Sequence, residues 1–172
     1  MYDGLLVRRL ASRRVIGMYR EIQLLGPADV RPMRQLLHLF GRAFEERETY
    51  SSRQPTDEYL RQLLNSNSFV VIAALAQDGE VIGGLAGYVL PKFEQERCEF
   101  YLYDLAVEEA YRRQGIATAL LDELCRLAQR RDIYLVFVQA DKGDDPALRM
   151  YAKFGSKSPV LQFDIDPVNG GA

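Results

Sequence analysis

The feature that most constrains the fold is a pair of apolar runs separated by an abrupt break. Phe69 to Ala76 is continuously apolar and contains β-branched residues, Asp78-Gly79 interrupts it, and Val81 to Leu90 is apolar again. Two such runs joined by an Asp-Gly pair predict a β-hairpin, because glycine accepts the backbone conformation that a tight turn between strands requires. The other elements have to be placed around that hairpin. Upstream, Met18 to Leu25 is strand-like, and Gly26-Pro27-Ala28-Asp29 ends it and supplies helix-start chemistry. Val30, Met33, Leu36, Leu37, Phe40 and Phe44 recur at helical spacing and predict a first helix with one buried face. Beyond a polar stretch from Glu45 to Pro55, Thr56 is a suitable N-cap for a short helix carrying Tyr59, Leu60, Leu63 and Leu64.

Downstream, Pro91 stops the second hairpin strand and an acidic loop, Lys92 to Arg97, leads to an aromatic-rich strand from Glu99 to Val107. Gly115 to Arg130 places Ile116, Ala119, Leu120, Leu124 and Leu127 on one helical face, and Ile133 to Val138 reads as a buried strand. Strand, helix, strand implies a parallel crossover. Asp144-Asp145-Pro146 opens a last helix running through Phe154 and ended by Gly155, and Val160 to Ile165 reads as a closing strand. The predicted architecture is α/β with a mixed sheet, antiparallel hairpins first and a parallel pair in the middle. Residues 1–17, with Arg8, Arg9, Arg13 and Arg14 in no sustained period, read as a variable extension, and residues 18–172 as one domain, in keeping with the roughly 100–200 residues usual for a domain.

Bulk properties narrow the function. A net charge of -2, from 22 Lys and Arg against 24 Asp and Glu, gives no basic excess of the kind that draws proteins to nucleic acid. No apolar run approaches the roughly 20 residues needed to cross a bilayer, and Met1 to Arg14 lacks a signal-peptide core, so a cytoplasmic protein is expected. Cys98 and Cys125 have no partner at metal-ligand spacing and are expected to be reduced thiols, with no metal. His38, beside the apolar stripe of the first helix, is expected to be structural.

The chemistry concentrates in Arg112-Arg113-Gln114-Gly115-Ile116-Ala117-Thr118, between a strand and a helix. A turn there, with Gly115 and Ala117 small enough for close approach, presents backbone N–H groups at a helix N-terminus and suits a phosphate. An ordinary loop with surface arginines is the alternative reading of these residues alone.

Asp104-Leu105-Ala106-Val107 followed by Arg112-x-x-Gly115-x-Ala117 resembles the acetyl-CoA signature of the GNAT superfamily of N-acetyltransferases. A second block, Asp144 to Gly155, resembles the Asn-x-x-Ala-x-x-x-Tyr-x-x-x-Gly segment of that superfamily, with Asp144 where Asn is common and Ser156 in place of an aromatic. From about Leu24 onward the chain is similar to the gentamicin type of aminoglycoside 3-N-acetyltransferase. The strings that carry this likeness are Tyr88-Val89-Leu90-Pro91-Lys92-Phe93-Glu94-Gln95, Tyr103 to Val107, Gln139-Ala140-Asp141-x-Gly143-Asp144-Asp145-Pro146 and Phe163-Asp164-Ile165-Asp166-Pro167.

The resemblance implies a GNAT fold with a splayed central parallel strand pair, and acetyl transfer from acetyl-CoA to the 3-amino group of a deoxystreptamine ring, giving antibiotic resistance with coenzyme A as product. It implies that Leu105, Ala106 and Val107 hold the pantetheine arm, with a contact from Asp144, and that Arg112, Arg113, Gln114, Gly115, Ile116, Ala117 and Thr118 hold the pyrophosphate. It further implies that the Val107 N–H binds the thioester oxygen and that Tyr151 donates a proton to the coenzyme thiolate. Asp104, beside the reacting centre, is expected to hold the substrate ammonium and accept its proton, directly or through water; stabilising a turn or pairing with an arginine is the other reading. Glu99 is the reserve for that role. Asp141, Asp144, Asp145, Asp164, Asp166, Glu94 and Glu96 are candidates for binding a polycationic aminoglycoside, although clustered acids can equally be a solvated face. Tyr101, Tyr103 and Tyr111 are expected as core or cleft walls. A homodimer is left open. So are two other functions, acetylation of a different small amine, polyamine or peptide, and a non-catalytic acetyl-CoA-binding domain.

Overall fold

The computed structural model describes residues 21–167, so the extension expected over residues 1–17 and the start of the first strand at Met18 lie outside the described residues. The chain divides between Gln139 and Ala140 into two compact units. The first contains β1 (Glu21–Leu24), α1 (Val30–Ala43), a π-helical turn (Glu48–Ser52), α2 (Asp57–Leu64), β2 (Phe69–Leu75), β3 (Val81–Pro91), β4 (Cys98–Val107), a 3-10 turn (Glu109–Tyr111), α3 (Ile116–Arg130) and β5 (Ile133–Val138). The strands form one five-stranded sheet in the order β1-β2-β3-β4-β5, antiparallel throughout except for the parallel β4–β5 pair.

The expected hairpin is β2–β3, with Gly79 at φ 84 in its turn. Every residue of β2 is buried, as its unbroken apolar run requires. The Thr56 hydroxyl accepts from the Tyr59 N–H at 3.2 Å, which caps α2 as expected. β3 runs one residue beyond its expected end, to Pro91, because a strand terminus needs no N–H from its last residue.

Helices cover both faces of the sheet. Leu36 of α1 lies over Gly84, whereas Ile116 of α3 lies over Gly83 on the opposite face. Leu36, Leu39 and Phe40 of α1 and Leu60 of α2 form the centre of one core; Leu120 and Leu124 of α3, all but inaccessible, belong to the other helix.

Alternation along β4 is broken once. The Phe100 ring lies over Gly87, two turns of the pleat from Gly83 and therefore on the α3 face. Continued alternation from Phe100 and Leu102 would put Asp104 on that face too. Instead Gly87 pairs with Leu102 and Ala86 with Asp104, leaving Tyr103 as an extra residue. This bulge turns Asp104 and Ala106, the partners of Ala86 and Gly84, to the α1 face.

The second unit contains α4 (Asp145–Tyr151), capped by the Asp144 carboxylate, which accepts from the Ala147 N–H at 3.0 Å. The helix is shorter than expected: Ala152–Gly155 continue as turns. The closing strand expected over Val160 to Ile165 is corrected. Residues 156–166 take up no regular structure, and Val160, Leu161, Phe163 and Ile165 are 71–82% exposed. Alternating apolar residues make a strand only where another strand supplies hydrogen-bond partners, and no described strand pairs with this segment.

Leu36, fully buried under α1, is the contact on which the approach of α1 to the sheet rests. Leu36→Ala should cost about 3 kcal/mol, read from the shift of the urea midpoint at unchanged slope.

Candidate active site

The bulge places the Asp104 carboxylate, half-buried, beneath a turn that joins the two helices of its face. The Tyr50 hydroxyl, from the π-helical turn, donates to it at 3.2 Å from Oδ1 and 3.1 Å from Oδ2. The turn can come this close because of Gly41 near the end of α1: a Cβ there would stand 2.6 Å from Ser51 Oγ and 3.2 Å from Tyr50 Cβ. The Tyr50 ring is held by Phe40 and Phe44, with centroids at 6.0 and 5.8 Å.

Burial pushes the Asp104 carboxyl up to about 6; the Tyr50 hydrogen bond pulls the other way, and the charge of Glu46 adds to the rise. Burial, with the charge of Asp104, raises the Tyr50 hydroxyl above its ordinary range, so at neutral pH it remains a donor. A carboxylate that titrates near 6 is ionised at neutral pH yet basic enough to take a proton. On the same face lies an aromatic row: Tyr103 meets Tyr88 and Tyr101 edge-on at 6.0 and 5.5 Å, and Tyr101 stacks on Phe137 at 5.0 Å. The Tyr101 hydroxyl donates to Gln139 at 2.6 Å.

The turn before α3 has the geometry its sequence suggested. Gly115 is the N-cap residue at φ 84, a left-handed conformation in which a Cβ is strained, and Arg113 also has a positive φ of 61. The first backbone bond of the helix runs from Ala119 N–H to Gly115 C=O. The earlier N–H groups of the helix have no intrahelical acceptor, and no side chain of the described residues caps it. Arg112 Nε donates to the Val107 carbonyl at 3.1 Å and so ties the turn to the end of β4. Val107 and Arg112 line a cavity of about 240 Å³ together with Arg42 and Arg47. β4 pairs with β5 only from Cys98 to Leu102, so Leu105, Ala106 and Val107 pair with β3 alone among the described strands.

Glu99 is already engaged. It accepts from the Tyr134 hydroxyl and from Lys92 Nζ at 3.3 Å, and the tyrosine bond and the lysine hold its carboxyl below the usual range. Glu94 forms ion pairs with Lys92 and Arg97. His38 is exposed. Asp141, Asp144, Asp145, Tyr151, Asp164 and Asp166 belong to the second unit. There Asp144 is occupied as the cap of α4, Asp145 pairs with Arg149 at 3.5 Å, and Asp164 accepts from Gln162 at 3.0 Å. Among the described residues no group of three or more His, Cys, Asp or Glu side chains could hold a metal ion, and no helix is long and apolar enough to cross a membrane.

Sequence reasoning missed Tyr50, and it did not place Arg42, paired with Glu108 at 2.6 Å, or Arg47 beside the cavity. Tyr50 sits in a polar stretch without periodicity. The available signal was Gly41, since a glycine inside an apolar helix costs about 1 kcal/mol against alanine and is retained where something packs closely.

Comparison with known proteins places the chain. The profile of the Acetyltransferase (GNAT) family matches residues 33–156. The chain is similar to an aminoglycoside acetyltransferase from an uncultured soil metagenomic sample, with 49% identity, a TM-score of 0.82, and coverage of 85% of this chain and 97% of that one. It is also similar to a second aminoglycoside acetyltransferase from such a sample, solved in complex with sisomicin, at 34% identity, a TM-score of 0.78, and coverage of 85% and 95%. Among curated proteins, a glucosamine 6-phosphate N-acetyltransferase of Trypanosoma brucei brucei is 26% identical over 89 residues, a stretch covering 51% of this chain and only 58% of that protein. With the profile matched across most of its length and a mixed sheet closed by a parallel β4–β5 pair, the chain belongs to the GNAT family of acetyltransferases.

Proposed function

We propose that this chain is an acetyl-CoA-dependent aminoglycoside N-acetyltransferase that acetylates the 3-amino group of the deoxystreptamine ring and so confers resistance. The observation that carries this reading is Asp104, a half-buried carboxylate titrating near 6 beside a row of tyrosines. Aminoglycosides are polycations, and an ionised carboxylate in a low-dielectric position attracts an ammonium and can take its proton. The two similar soil proteins, both aminoglycoside acetyltransferases, support the substrate class. The 3-position rests on the sequence strings shared with the gentamicin type.

The residues present fit acetyl-CoA. A strand end with β3 as its only described partner leads into an uncapped helix N-terminus, which suits an amide-bearing chain that ends in phosphates. Leu105, Ala106 and Val107 would hold the pantetheine arm, and Arg112 to Thr118 the pyrophosphate, where the N–H groups and the dipole of α3 favour negative charge. Acetyl-CoA supplies an acetyl group activated as a thioester. The Val107 N–H would donate to the acyl oxygen, an arrangement worth roughly 3 kcal/mol where such donors have been removed. Asp104 would orient the ammonium and accept its proton. The roles of Tyr151 as proton donor and of Asp141, Asp144, Asp145, Asp164 and Asp166 in holding the acceptor rest on the resemblance alone.

The reading is tested by release of free thiol from acetyl-CoA with gentamicin, sisomicin, spermidine and an amine-terminated peptide as acceptors. Turnover with the aminoglycosides is expected. Release with the polyamine or the peptide and none with the antibiotics would overturn the substrate assignment, and binding of acetyl-CoA without thiol release with any of the four acceptors would favour a coenzyme-binding domain.

Gly115→Val should lower coenzyme A affinity at least tenfold, about 1.4 kcal/mol, in a folded variant measured by calorimetry. Unchanged affinity would remove the turn from the site.

Asp104→Asn should lower kcat/KM by roughly 10²–10⁴-fold. The same variant should raise thermal stability at pH 8. Below about pH 4 the acid is neutral in both states, but in the folded protein it becomes charged only near 6, so the gain should grow between those values and level off above them.

A further inference from the structure

We infer that Tyr50 is a positioning residue of the acceptor site, whose hydroxyl pins the Asp104 carboxylate in its half-buried place and keeps it available to the substrate amine. The inference rests on the reading of Asp104 as the group that receives that amine. Three observations carry it. The hydroxyl stands nearly equidistant from both carboxylate oxygens, at 3.2 and 3.1 Å, so it sits at the mouth of the group and resists its rotation. The ring is locked by Phe40 and Phe44, so the donor does not wander. The turn that brings it has room only because residue 41 is glycine.

The balance of forces gives the contact a chemical role. Burial and the charge of Glu46 both favour the protonated form of Asp104, which could not hold an ammonium; the Tyr50 bond alone opposes them. The other titratable groups that feel this carboxylate are Tyr101 on β4 and Tyr88 on β3, whose hydroxyls burial and its charge push up. Among the described residues only the Tyr50 hydroxyl donates to the Asp104 carboxylate, so neither of these phenols replaces its hydrogen bond.

Tyr50→Phe keeps the ring packing and removes only the hydroxyl. The carboxyl carbon of Asp104, labelled with carbon-13 and assigned by its loss in Asp104→Asn, is titrated by NMR in the full-length protein. The midpoint should rise by about one unit in Tyr50→Phe, and the acid limb of kcat/KM with gentamicin should rise with it. A packing role would lower the rate or the stability without moving either. Gly41→Ala, which presses on Ser51 and Tyr50, should reproduce the rise in part, and serves if Tyr50→Phe does not fold. An unchanged midpoint in a folded variant overturns the proposal, whatever the protein acetylates. A wild type that shows the Tyr50-dependent midpoint but acetylates no amine overturns instead the function on which the proposal rests.

Discussion

One extra residue in β4 governs which face of the sheet Asp104 occupies. Side chains on a strand alternate, so an offset of one position exchanges the faces of everything beyond it. Up to Leu102, β4 supplies apolar residues to the α3 side of the sheet; past Tyr103 the assignment reverses, and Asp104 emerges on the side of α1. Without the offset the same carboxylate would lie against α3, among residues such as Ile116 and Leu120 that are almost wholly inaccessible. A charge buried there without a partner would be costly, and no hydroxyl from the α1 side could reach it. The bulge therefore decides both that the acid is tolerated and what it can meet.

A second constraint is the early end of β5. The strand stops opposite Leu102, so β4 runs on for five residues without it, at the point where the bulge begins. The parallel pair anchors one end of β4 while the other is joined to α3 through the short 3-10 turn and the left-handed Arg113 and Gly115. Strand end, bulged acid and helix N-terminus thus follow each other within fifteen residues, from Tyr103 to Ala117.

Much of this was legible in the sequence because it rests on local chemistry. The hairpin follows from two apolar runs and Asp78-Gly79, α2 from its Thr56 cap, and the turn from Gly115 at a helix start. Asp104 was found through the family signature, but its orientation was not, because a bulge is a relation between two strands and leaves no mark in one. Tyr50 was missed for a similar reason: its role depends on how closely a turn approaches a helix, which Gly41 permits but does not announce. The segment from Val160 to Ile165 shows the opposite failure. Its alternation is strand-like, yet a strand exists only with a partner, and the described residues offer it none.

The aromatic row beside Asp104 has a consequence for how the protein can be observed. The chain contains ten tyrosines and no tryptophan, so tyrosine emission is not drained to an indole. Tyr88, Tyr101 and Tyr103 touch one another in sequence, and Tyr50 bonds to the carboxylate they flank. Phenol emission is quenched by proximity to a carboxylate acceptor and responds to desolvation. The phenols near this carboxylate thus contribute an intrinsic optical signal that responds to its ionisation, built from native side chains and read without any label.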